Sequence, residues 1–180
     1  MPARWWVATG LVAALLGGCA DPPVKWTGLE EGCPELTVPA FASARHGNII
    51  LDQSAGSNGL ISADRLVRCQ YGTPGAKGSI WVEYYVDQDS GRRPNTPKPL
   101  SEQDLVDPEW PSIDLPAAGV PAEAAIDEAV VAVRAWSGNV FVSATIEQDL
   151  DRAGLMGPAL TDRAADYTTL VKDLLGGLSR

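Results

Sequence analysis

Three thiols and one imidazole are the most reactive side chains in this 180-residue chain: Cys19, Cys33, Cys69 and His46. His46 is the only histidine, and neither a nucleophile elbow nor a zinc-binding helix motif accompanies it, so it reads as a surface or turn residue. Two cysteines and one histidine do not fill a tetrahedral structural zinc shell without unusual partners. Asp87-Gln88-Asp89-Ser90-Gly91 has the opening of a calcium loop, but the glycine comes one position early and Lys98 stands where the bidentate glutamate belongs. A solvated turn is the expectation there. Asp149 and Asp151 could serve paired-carboxylate chemistry, yet sugar cleavage needs two carboxyls facing each other across a cleft and no second cluster is identifiable. No glycine loop suited to cradling phosphate is present. The expectation is a chain with no catalytic site, no metal and no cofactor.

Cys19 has the clearest context. It ends an apolar run that begins at Trp5, with Arg4 and the amino terminus as the positive end. Trp5 to Gly18 is well short of the roughly 20 apolar residues that cross a bilayer as a helix. Leu16-Gly17-Gly18-Cys19 resembles the cleavage site of a bacterial lipoprotein signal peptide, in which the cysteine thiol receives a diacylglyceryl group and the chain is cut before it. An ordinary secretory leader is the competing reading. Two buried acyl chains hold a protein stably, where one is marginal. The expectation is therefore a signal peptide over 1–18 and a mature domain fastened to the cell membrane, on its extracytoplasmic side, through lipid on Cys19.

Composition bounds the partners. The formal charge is −9, from 14 Lys and Arg against 23 Asp and Glu; the leader holds one of those basic residues, so the mature chain carries −10. Phosphate binding needs a basic stripe, so nucleic acid is excluded as a partner. Anionic headgroups are repelled as well, so attachment rests on lipid rather than on charge. Export also places Cys33 and Cys69 in an oxidising compartment, where a disulfide between them is expected. Closing that loop is worth about 3.5 to 4 kcal/mol on the chain-entropy model.

The elements that must position these groups form an α+β domain over 33–180, an antiparallel sheet built from hairpins with a C-terminal amphipathic helix packed on one face. Residues 19–32, with Pro22, Pro23 and Gly28 and no apolar periodicity, read as a tether. Pro34 suits a first helical turn and Pro39 interrupts any long helix, so 33–44 is a short helix or irregular. Asn48 to Gln53 is an apolar run closed by a Ser/Gly/Asn turn cluster. Leu66 to Tyr71 and Ser79 to Val86 make one hairpin, with Ile80, Val82, Tyr84 and Val86 on the core face. Ala129 to Trp136 and Val140 to Ile146 make a second. A two-residue turn at Gly138-Asn139 sets Ser137 against Val140, Ala135 against Val142, Val133 against Ala144 and Val131 against Ile146. The alanines from Ala122 admit a helix up to Arg134, but the valines favour strand from about Ala129. Ala164, Tyr167, Thr168, Val171, Leu174, Leu175 and Leu178 recur at helical spacing, with Thr161 placed to cap the start and Gly176-Gly177 near the end.

Between the hairpins, 87–121 is a proline-rich excursion that prohibits regular helix or central strand. Either it is a covering loop in which Trp110 and Ile113 fill a groove, or it is a binding loop. Parity gives a reason to ask. Trp81, Tyr85, Trp136 and Phe141 point away from the core face, and an aromatic set of that size is not left bare on a soluble surface. It is covered by the excursion, or it forms with Trp110 a surface for a protein partner, an apolar ligand or a glycan.

Gly32-Cys33-Pro34-Glu35-Leu36, Val67-Arg68-Cys69-Gln70-Tyr71 and Val131 to Val140 together resemble a family of small actinobacterial lipoproteins built around a domain of unknown function. More loosely, they are similar to the extracellular sensor domain of mycobacterial receptor kinases. The resemblance spans most of the mature chain, and it implies the Cys33–Cys69 disulfide and an antiparallel α+β fold. The expected function is non-enzymatic binding of a protein partner or an apolar or glycan ligand at the cell envelope. An envelope hydrolase with an unrecognised site and a structural accessory subunit are the alternatives.

Overall fold

The computed structural model describes residues 26–54, 63–75, 78–87, 112–127, 130–147 and 158–179. Along them run β1 (Gly28–Leu29), a 3-10 turn (Pro39–Ala44), β2 (Gly47–Ser54), β3 (Arg65–Tyr71), β4 (Ile80–Val86) and β5 (Ser112–Asp114). A second 3-10 turn (Pro116–Ala118), β6 (Ala122–Asp127), β7 (Val130–Ser137), β8 (Val140–Glu147), α1 (Pro158–Asp162), α2 (Ala164–Gly176) and β9 (Leu178–Ser179) follow.

β2 to β8 form one antiparallel sheet in the order β2-β3-β4-β8-β7-β6-β5. It consists of two meanders, β2-β3-β4 and β5-β6-β7-β8, joined where β4 pairs with β8. The β7–β8 register follows from the two-residue turn as expected, with Ser137 opposite Val140, Ala135 opposite Val142, Val133 opposite Ala144 and Val131 opposite Ile146. Gly138 takes φ 55°, which such a turn requires and which a Cβ disfavours.

One sheet face carries the main core. Ile80, Val82, Tyr84 and Val86 are fully buried there, together with Val133, Ala135, Val142, Ala144 and Ile146. α2 lays Tyr167, Leu170, Val171 and Leu174 on this face. The crevice where α2 meets Val133, Ala135 and Val142 is too narrow for a water molecule. Two phenols inside the core keep their hydrogen bonds: Tyr71 donates to the Pro34 carbonyl at 2.9 Å and Tyr84 to the Leu174 carbonyl at 3.4 Å. Burial pushes the ionisation of both well upward. Cys33 and Cys69 form a disulfide with Cα atoms 5.8 Å apart, tying the segment before β2 to the middle of β3.

Several boundaries differ from the sequence expectation. The alanine-rich stretch from Ala122 is a strand, because its small side chains fit a position closed on both faces; Ala124 and Ala125 have no exposed surface. Packing overrides the helical propensity of alanine here. Thr161 lies inside α1 and does not cap α2, which starts after Arg163 with no side-chain cap. Arg163 occupies the junction because its guanidinium stands over the Phe41 and Tyr167 rings, 5.4 and 5.6 Å from their centroids. The end of the proline-rich excursion is structured as edge strand β5 between Pro111 and Pro116, with Ile113 packed on the core.

The largest difference concerns the tether. Residues expected to hang free up to Gly32 are docked from Trp26 onward. β1 pairs antiparallel with β9, Gly28 opposite Ser179 and Leu29 opposite Leu178. Thr27 N–H donates to the Ser179 carbonyl at 3.0 Å and Glu30 N–H to the Gly177 carbonyl at 3.1 Å. Arg65 donates to the Thr27 carbonyl at 2.9 Å. At the β7–β8 turn, Asn139 is completely buried and accepts from Trp26 N–H at 2.6 Å. Its amide donates to the Trp26 carbonyl at 2.9 Å and the Asp87 carbonyl at 2.8 Å. The Trp26 indole N–H reaches Ser137 Oγ at 3.1 Å. A polar side chain in the turn thus satisfies backbone groups that a folded sheet end otherwise leaves unpaired, and this recruits the segment that composition marks as a linker.

Candidate binding surface

The sheet face opposite α2 is built in cross-strand rows, because side chains at paired positions lie side by side on one face. The first row runs Leu66–Tyr85–Phe141–Trp136 over β3, β4, β8 and β7. Tyr85 and Phe141 stack with centroids 5.8 Å apart, and Trp136 meets Phe141 at 5.2 Å. Three of the aromatic residues singled out from sequence are therefore brought together. They form a closed cluster with Ala63 and Leu66 rather than an open surface: Tyr85 is 7% exposed, Trp136 4% and Phe141 3%. Trp81 stands apart from them, opposite Gln70 and Thr145, and is half-buried. Trp110 lies outside the described residues, as do Cys19, the leader, Asp149, Asp151 and the calcium-loop-like residues after Asp87.

The adjacent row is charged. Arg68, Glu83, Ser143, Arg134 and Glu123 are successive partners across β3, β4, β8, β7 and β6. Arg68 Nε donates to one Glu83 oxygen at 2.9 Å and the Tyr85 hydroxyl donates to the other at 2.7 Å. Burial, with this bond to Glu83 next, pushes the Tyr85 phenol up, so it remains a donor at neutral pH. Arg134 pairs with the buried Glu123 at 3.5 Å. Both Glu83 oxygens thus already accept hydrogen bonds from within the face, from Arg68 and Tyr85. His46 is exposed. Among the described residues no group of three or more His, Cys, Asp or Glu is placed to hold a metal ion, and no helix is long and apolar enough to cross a membrane.

The surface that sequence reading did not single out is the β2 edge. Among the described strands, β2 pairs with β3 and ends the sheet. A β-bulge between Ile49 and Leu51 takes Ile50 out of the ladder. Ile49 and Ile50 are each 44% exposed, the large apolar side chains that the described surface leaves open. Farther along the strand Asp52 is gripped by Arg65 through two bonds of 2.8 and 2.6 Å. Those hydrogen bonds hold the Asp52 carboxyl below its ordinary range. The signal was present in Ile49-Ile50-Leu51, three consecutive apolar residues that break the alternation of a half-buried strand.

Fold and surface together define a disulfide-tied antiparallel sheet domain with one helix-covered face and, at β2, a partly apolar edge with no partner strand beyond β3 among the described residues. No family model, no curated protein and no solved structure matches the chain.

Proposed function

We propose that this chain is a membrane-tethered extracytoplasmic lipoprotein that binds a protein partner at the cell envelope and performs no chemistry of its own. The observation that carries the reading is the β2 edge, whose outer side has no partner among the described strands and runs beside the exposed Ile49 and Ile50. An extended segment of another protein satisfies such an edge by adding a strand, its side chains seating against the flanking apolar groups. The closed aromatic cluster on the outer face favours this over an apolar or glycan ligand, because the rings expected to greet that ligand are already packed together. A charge near −10 on the mature chain selects a partner with a basic segment and disfavours a second copy.

The test is photocrosslinking in intact cells with a reactive side chain at Ile49 and, as control, at exposed Thr73, followed by mass spectrometry. A discrete adduct from position 49 that disappears in an Ile50→Lys background supports edge binding. Adducts that are equal at both positions, or indifferent to Ile50→Lys, refute it.

A further inference from the structure

Resting on the lipoprotein reading above, we infer that the domain meets the bilayer with the sheet end that carries the β7–β8 turn, Asp87 and Trp26, and stands upright with β2 facing sideways. The docked amino-terminal segment is the reason. A free linker from Cys19 to Gly32 permits every orientation, but the chain is captured at Trp26 by Asn139 and Ser137 and continues in β1 against β9. Seven residue steps separate Cys19 from Trp26. Fully extended, they span no more than about 25 Å.

The capture point is at one end of the strands, not midway along them. Asn139 precedes β8, whose first residue Val140 faces Val86 at the end of β4 and Ser137 at the end of β7. The Pro116–Ala118 turn belongs to the same end, since Leu115 N–H bonds to the carbonyl of Ala122, the first residue of β6. The β3–β4 hairpin around Thr73 belongs to the opposite end, six residues farther along β4 and so about 20 Å away. A tether shorter than or comparable to the strand length, fixed at one strand end, keeps that end nearest its anchor. The bilayer is thereby a surface apposed to the Asn139 end, and the β2 edge runs roughly along the membrane normal, open to a neighbour anchored in the same plane.

Förster transfer measures this directly. The full-length precursor is expressed so that its own processing proceeds, and the membrane form is reconstituted into phosphatidylethanolamine–phosphatidylglycerol vesicles containing a rhodamine lipid. A donor is attached through an azide-bearing residue at exposed Ala117 in one preparation and at exposed Thr73 in another, leaving the cysteines untouched. The expected result is clearly stronger transfer from position 117, with a height difference approaching the strand length. The Asn139→Ala variant, with the tether released, should shrink the difference. Equal transfer from the two sites, or stronger transfer from position 73, overturns the orientation while vesicle flotation still upholds the anchor. Protein that does not float with the vesicles overturns the anchor and the orientation together.

Discussion

Asn139→Ala offers the sharpest test of how this domain is closed. The side chain is fully buried and makes three hydrogen bonds, of 2.6, 2.9 and 2.8 Å, to the Trp26 N–H, the Trp26 carbonyl and the Asp87 carbonyl. Each such bond contributes about 0.5 to 1.5 kcal/mol net, and partners left unsatisfied in a buried site raise the loss. Relief by water entering where the side chain was lowers it again. The expected destabilisation is about 2 to 4 kcal/mol, measured as a shift in the urea midpoint at unchanged slope. A second readout isolates the mechanism. Because the bonds lead to Trp26, limited proteolysis should cut the variant within Trp26–Gly32 well below the denaturant concentration at which the sheet melts, whereas the parent protein should lose both together. A loss under about 1 kcal/mol with unchanged resistance of that segment would refute the argument that Asn139 holds the amino-terminal residues on the sheet.

Replacing Cys33 and Cys69 together by alanine should cost about 3.5 to 4 kcal/mol from the loop of sequence separation 36 that the bond closes, read by denaturant unfolding with and without reductant. Gly47→Ala places a methyl against the buried Tyr71 ring, so it should lose about 1 to 3 kcal/mol by thermal or chemical unfolding, and a wild-type midpoint would count against that packing. Burial raises the phenols of Tyr71, Tyr84 and Tyr85 in the folded state above their unfolded value near 10. The stability they contribute is complete below about pH 10 and is lost as the pH rises beyond it. In a phenolate absorbance titration, Tyr71, Tyr84 and Tyr85 of the native protein should therefore stay silent through the ordinary tyrosine range and give their signal only on unfolding. The sign is opposite for Asp52: Arg65 lowers its folded value, so its contribution is present above about pH 4 and fades in acid. Asp52→Asn should flatten that acid limb by no more than about 1 kcal/mol, because the pair is largely solvated.

Much of this fold was legible because the signals were local. The Gly138-Asn139 turn determines the β7–β8 register, strict alternation from Ile80 to Val86 identifies the core face of β4, and the period of Tyr167, Val171 and Leu174 identifies the buried side of α2. What escaped was set by distant residues. Nothing in Ala122 to Asp127 marks a strand until β7 lies beside it, and nothing in Trp26 to Gly32 marks attachment until a turn more than a hundred residues later presents Asn139. The candidate surface divides in the same way. Parity located Tyr85, Trp136 and Phe141 on a common face correctly, but it has no information about what lies above them, so an inward cluster and an open platform look alike in one dimension. Ile49 and Ile50 belong to an apolar run whose exposure is not written in the run itself: it follows from β2 ending the sheet among the described strands.

The disulfide acquires a mechanical meaning from its place just inside the clasp. A pull on the amino end peels Trp26 to Gly32 from Asn139 and β9 first, in a short zipper whose bonds yield one or two at a time. The load then arrives at Cys33 and passes through sulfur into Cys69, within β3, bypassing the hydrogen-bonded ladder of the β2 edge. A pull on that end can thus release several residues of slack and let them reseat afterwards, with the β2–β3 ladder spared until the disulfide carries the load.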